Sequence, residues 1–267
     1  MLQNEQNGLV YFTSPLLGAP HGFSTRLGGV SEAPCDSLDL SPHHLTDFPA
    51  GMENFRRFYG AIGAKSEKAV LSHQVHETTV RAVTAADAGK GLFRERDYTA
   101  DALITNEPGL TLTVFSADCT NILLWDRVTG AVGAIHAGWR GCAAGIVEKT
   151  VCEMDRLYSA HPADISAAIG PCIGQCCFET DSDVPSAMLD ALGSDAALYM
   201  RRTGEKWHVD LAGLNELWLL RAGLDPDRID VSGLCTACHG ELFWSHRKMG
   251  WQRGLQAAAI SCTGKDA

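Results

Sequence analysis

Long apolar runs are missing from this chain. None reaches the about 18 residues that a membrane-spanning helix needs, so no membrane span is expected. Positive charge is scarce: 22 Lys and Arg against 32 Asp and Glu leave a formal charge of −10. An acidic chain repels phosphate backbones, so nucleic acid is not an expected partner. The short basic clusters Arg201-Arg202 and His246-Arg247-Lys248 read as solvated surface. The opening MLQNEQNGLVYF has no basic segment leading into an apolar stretch. No secretory signal is read there, and the cytoplasm is the expected location. No repeat, low-complexity tract or long Pro/Gly/Ser linker interrupts the chain, so residues 1–267 read as one domain. Two metal-binding patterns are also absent. The ten histidines include no His-x-His pair, and Cys235-x-x-Cys238 has no second Cys-x-x-Cys to complete a zinc ribbon.

What the chain has is apolar mass, 45% of its residues, enough for a sizeable core. Its ten cysteines, without an export signal, are expected as thiols or metal ligands rather than disulfides. Apolar periodicity predicts helices over 51–63, 142–159, 184–193 and 211–222. Strands are predicted at 20–30 (running into a Gly-Gly turn), 79–85, 102–105, 111–116, 121–126, 131–136, 165–169, 228–232 and 255–262. Helices and strands mix irregularly. That favours an α+β (mixed α/β) fold, a mixed β-sheet flanked by helices, over a regular doubly wound array.

The segment CTNILLWDRVTGAVGAIHAG (119–138) holds two apolar runs around Asp-Arg-Val-Thr-Gly, a hairpin signal. Pairing symmetric about Val128 sets Thr120 opposite His136, with Cys119 one residue away. Opposed side chains stand about 4.5–5.5 Å apart at Cβ, close enough for a thiolate and an imidazole to share a zinc. A slip of one residue changes which face each ligand occupies. His73-Gln74-Val75-His76 offers a third ligand, but spacing does not choose between the two histidines. After His136, Gly138-Trp139-Arg140-Gly141 leads into a helix. It reads either as an anion site with Arg140 as a bidentate contact or as a tight turn plugged by Trp139. Arg26 beside Gly28-Gly29, and Ser245 with Arg247, read either as anion contacts or as ordinary surface. Cys235-Thr-Ala-Cys238-His239 matches the c-type haem pattern, which requires export. Cys172, Cys176 and Cys177 supply three thiolates where an iron–sulfur cluster needs four. Both groups read as cysteines in turns.

Taken together, HGFSTRLGGVS (21–31), QVH (74–76), ADALIT (100–105), ADC (117–119), AIHAGWRG (134–141), IGPCIGQCCFE (169–179) and, loosely, CT…FWSHR (235–247) resemble the laccase-domain family. This family is also called the multicopper polyphenol oxidase or purine nucleoside phosphorylase family, and it includes a bacterial peptidoglycan editing factor. The resemblance implies a sandwich-like mixed β-sheet core wrapped by helices, and that His76, Cys119 and His136 bind zinc and carry catalysis, which favours His76 over His73. This chain departs from the family pattern at Glu77, at Asn121, at Leu38-Asp-Leu-Ser-Pro-His43-His44 and in Ser-His-Arg at 245–247.

A His2Cys zinc with an open position is a catalytic pattern that activates water. The resemblance adds phosphorolysis of adenosine, inosine, guanosine and methylthioadenosine, plus adenosine deamination. The partners it implies are therefore a purine nucleoside and phosphate. The substrate-binding residues expected are Arg26, Gln74, Asp118, Arg140 and Arg247. Copper oxidation of phenols is an alternative, since His2Cys also suits copper, but a laccase's trinuclear cluster generally uses His-x-His pairs. A cysteine hydrolase editing peptidoglycan precursors is another, with Cys119 as nucleophile, although zinc would blunt that thiolate.

Overall fold

A computed structural model describes residues 1–42 and 48–264; His43 and His44 lie outside them. Two six-stranded sheets lie face to face. The first runs in the order β1 (Leu2–Gln6), β2 (Leu9–Thr13), β3 (His21–Ser24), β15 (Gln256–Ser261), β7 (Thr111–Ser116), β4 (Ala69–Leu71). The second runs β14 (Ile229–Val231), β10 (Ile165–Ile169), β8 (Thr120–Asp126), β9 (Val132–Ala137), β6 (Ala102–Thr105), β5 (Val80–Ala82). A small third sheet joins β11 (Glu179–Thr180), β13 (Lys206–Val209) and β12 (Met200–Thr203). Both main sheets mix parallel and antiparallel pairs, so the expected mixed, sandwich-like core is present.

Their central strands are buried on both faces, which explains near-continuous apolar runs such as Ile122–Leu124. Between the sheets, Leu123, Val132 and Ala134 meet Leu112, Val114, Ala258 and Ile260. On the outer face of the second sheet, Ile122, Leu124 and Ile135 pack against α3 (Ile146–Tyr158) and α5 (Leu211–Arg221), with α4 (Asp183–Leu192) beside them. The outer face of the first sheet is covered by Phe55, Phe58 and Tyr59 of α1 (Phe48–Ala61). Among the described residues no helix is long and apolar enough to cross a membrane.

Two expectations are corrected. The helix predicted over 142–159 is two, α2 (Trp139–Ala143) and α3, parted by Gly145, whose φ of 73° interrupts the right-handed turn. α2 itself has five residues, with Gly138 at its N-cap. The β8–β9 hairpin pairs Asn121 with His136 and Trp125 with Val132, one residue away from symmetry about Val128. The cause is local. Asp126 pairs with Ala131, and its carboxylate accepts from Val128 N (2.9 Å) and Thr129 Oγ1 (2.6 Å), so four residues lie between the closing pair where symmetry about Val128 would leave three.

Candidate metal centre and its cavity

The corrected register decides the centre. With Asn121 facing His136, strand alternation puts Cys119, two residues before Asn121, on the same face as the histidine. Symmetry about Val128 would have sent it to the other face. Cys119 follows the turn at Asp118, whose φ of 90° swings the chain from β7 into β8. His76 arrives on the loop between β4 and β5, itself left-handed at φ 60°. Non-glycine residues in this region carry about 1–3 kcal/mol of strain and persist only where their surroundings hold them.

Asp101, at the foot of β6, does the holding. Its carboxylate accepts from the backbone N–H groups of Val75, His76 and Glu77 at 3.0, 3.1 and 3.1 Å, which fixes the loop. The same carboxylate lies 2.8 Å from His136 Nδ1. With Nδ1 engaged, Nε2 of His136 is left to face a ligand, the usual arrangement behind a metal-bound histidine. One donor atom each from His76, Cys119 and His136 then lies within 4.8 Å of the others. Gly138 leaves them room: a Cβ there would stand 2.8 Å from His76 Nδ1 and 3.2 Å from Cys119 Sγ.

The electrostatics suit a cation. Burial disfavours the charged form of His136, but the Asp101 carboxylate and the Cys119 sulfur outweigh it and raise the pKa to about 9. A field that favours a proton on this imidazole also favours a metal ion beside it. His76 goes the other way. Burial, reinforced by His136 and Arg140 against the opposing pull of Asp101, lowers its pKa and keeps the ring neutral, as a ligand must be. His73, the other histidine of the segment, turns its Nδ1 to the carbonyl of Tyr98 at 3.1 Å.

This centre opens into a cavity of about 470 Å³. Apolar walls come from Phe115, Trp139, Phe178, Leu211, Trp251 and Leu255. Its cations are Arg96, Arg247 and Arg253. Of the substrate-binding residues expected, Gln74, Asp118 and Arg247 line it; Arg26 and Arg140 do not. Arg26 donates to the carbonyls of Gly240 (3.0 Å) and Asp36 (2.9 Å) and lies 4.0 Å over the Trp244 ring, so it ties loops together. Arg140 rests 4.3 Å over its neighbour Trp139.

Gln74 and Asp118 are committed to the protein. The Gln74 amide exchanges two 2.7 Å bonds with the backbone of Phe115. Asp118 accepts from Thr236 Oγ1 and from the Arg247 backbone N–H, both at 2.6 Å. The Arg247 guanidinium donates to the carbonyls of Cys177 and Glu179, each at 3.0 Å.

Arg96, Arg253 and Asp101 were missed by the sequence reading. Asp101 lies within ADALIT and could have been found there; the two arginines have no local signature.

A family described as "Multi-copper polyphenol oxidoreductase laccase" has a model that matches residues 20–263. The chain belongs to this laccase family. A relative from Geobacillus stearothermophilus, named purine nucleoside phosphorylase YlmD, is 35% identical over 254 residues, covering 94% of this chain and 92% of its own. Another from Escherichia coli, named purine nucleoside phosphorylase YfiH, is 35% identical over 225 residues, 84% of this chain and 86% of its own. In structure the laccase-family fold is similar to that of a Bacillus licheniformis protein, YfiH, with a TM-score of 0.91 at 30% identity, covering 97% of this chain and 98% of that one.

Proposed function

We propose that this chain is a zinc-dependent purine nucleoside phosphorylase acting on adenosine, inosine, guanosine and methylthioadenosine, with adenosine deamination at the same site. The observation that carries the reading is the convergence of His76, Cys119 and His136 at the base of an apolar, arginine-bearing cavity. The names of its relatives support the same chemistry. Two imidazoles and a thiolate, with no fourth donor grouped with them among the described residues, fit a catalytic zinc, which when bound supplies Lewis acidity and a water of lowered pKa.

The chain's own residues bind and orient. A cavity of this volume, walled by Phe115, Trp139, Phe178 and Trp251, suits a flat purine and its ribose. Arg96, Arg247 and Arg253 concentrate positive charge in a molecule that is otherwise acidic, and this selects an anionic co-substrate. In phosphorolysis a phosphate oxygen bonds to C1′ as the bond from C1′ to the purine nitrogen breaks. The electron pair leaves with the base, and the sugar becomes ribose 1-phosphate. The arginines hold the phosphate in place and stabilise the charge on the departing purine. Gln74 and Asp118 act through the walls they fix.

Polyphenol oxidation needs further imidazole-built copper sites. The second donor group among the described residues is made of four cysteines, which does not favour that reading.

Incubation with adenosine is expected to yield adenine and ribose 1-phosphate only when phosphate is present. Equal release of free ribose in phosphate-free buffer would contradict the proposal. Arg253→Ala is expected to raise the apparent KM for phosphate at least tenfold, in line with the about 1.5–3 kcal/mol that a hydrogen bond to a charged group contributes. A change confined to the nucleoside KM would reassign Arg253 to the sugar or base.

A further inference from the structure

Far from the first centre in sequence, two turns bring four cysteines together. One turn, between β10 and β11, carries Cys176 and Cys177. The other, after β14, carries Cys235 and Cys238. They meet through a short parallel bridge between Cys172 and Cys235, in which Thr236 N donates to the Cys172 carbonyl at 2.9 Å. Cys238 Sγ lies 3.6 Å from Cys176 Sγ and 3.5 Å from Cys177 Sγ, and all four sulfurs lie within 4.8 Å of one another. Gly174 permits this approach: a Cβ there would stand 3.2 Å from Cys235 Cβ and 3.3 Å from Cys176 Sγ. Its backbone N–H donates to Cys235 Sγ at 3.2 Å, the kind of bond that stabilises a thiolate.

We propose that Cys176, Cys177, Cys235 and Cys238 bind one structural zinc ion. Four thiolates at the usual Zn–S distance of about 2.3 Å, arranged tetrahedrally, stand about 3.8 Å apart, close to the spacing here. An iron–sulfur cluster spreads its thiolates around several irons and holds them farther apart. No sulfur is singled out as the disulfide partner of another, since Cys238 is nearly equidistant from two. Four protein ligands close the coordination sphere, which marks a structural site rather than a catalytic one. The missing half of the zinc ribbon is therefore supplied by an adjacent Cys-Cys pair instead of a second Cys-x-x-Cys, and Cys172, buried beside it, is not among the ligands.

The ion has a structural task. One turn bears Ile173 and Phe178, which line the cavity, and the other bears Thr236, which holds Asp118 next to Cys119. Zinc between them pins that wall of the cavity to the first centre.

Zinc content of the purified full chain, measured beside Cys235→Ser/Cys238→Ser, tests this. The variant is expected to hold one zinc fewer per chain, whatever the occupancy of the His76/Cys119/His136 site. Thiol alkylation of the wild type provides a test that needs no variant. Cys176, Cys177, Cys235 and Cys238 are expected to resist alkylation until a chelator is added, while exposed Cys152 reacts at once. Equal zinc in both proteins, iron in place of zinc, immediate alkylation of the exposed Cys176 and Cys238, or protection relieved only by a reductant would each overturn the proposal.

Discussion

Asp101 holds two parts of the site at once. One carboxylate fixes the His76 loop through three backbone N–H groups and orients the His136 ring, so losing its charge disturbs two ligands together. Asp101→Asn is expected to weaken zinc at the first centre about 10–100-fold, the usual effect of changing a partner behind a metal ligand. Metal-buffered titration reads this directly, and unchanged affinity would remove Asp101 from its positioning role. Gly138→Ala acts sterically. The backbone there, at φ −66° and ψ 167°, accepts alanine, but the new Cβ would crowd His76 and Cys119. The variant should fold, lose zinc from this centre and lose turnover with it; full zinc occupancy and full turnover together would show that the crowding is relieved elsewhere. Asp101 was within reach of the sequence, since ADALIT is one of the motifs that carry the resemblance. Arg26 lies outside the cavity lining: its guanidinium bonds two carbonyls and stacks on Trp244, a placement that the neighbouring glycines do not reveal.

The β8–β9 hairpin shows how one side chain sets the register of a ligand pair. Apolar runs announced the hairpin, but the pairing depends on the two bonds Asp126 makes inside its own loop, which periodicity does not report. Asp126→Ala leaves Val128 N and Thr129 Oγ1 without this partner. It is expected to cost about 1–3 kcal/mol, seen as a lower urea midpoint. A midpoint unchanged within error would mean that the apolar pairing alone sets the register. The long central strands were legible because both faces are apolar. The β1–β2 hairpin was not predicted, although Asn7-Gly8, at φ 53° and 79°, is a strong two-residue turn signal. The β12–β13 pair was also missed: Arg201, Arg202 and Thr203 are exposed, so no buried alternation marks them.

Across the fold, the first centre lies where the two sheets come together, its ligands drawn from the ends of β8 and β9 and from the loop after β4. A metal bound there should tie the two sheets together and stabilise the native state by mass action. Chelation is expected to lower the melting temperature and stoichiometric zinc to restore it; an identical melting temperature after complete demetallation would separate metal binding from folding. A mixed sheet flanked by helices was legible in the pattern of apolar runs, and its sandwich-like form in the family resemblance. The order of strands within each sheet was not, because β3 and β15 are neighbours brought together from opposite ends of the chain. The proposed function rests on three side chains acting on one ion, and the most direct measurement is phosphate-dependent release of adenine from adenosine by purified Cys119→Ala beside the wild type. Release at the uncatalysed background, from a protein that remains folded, is the expected result. Wild-type turnover in the variant would contradict a metal-centred phosphorolysis.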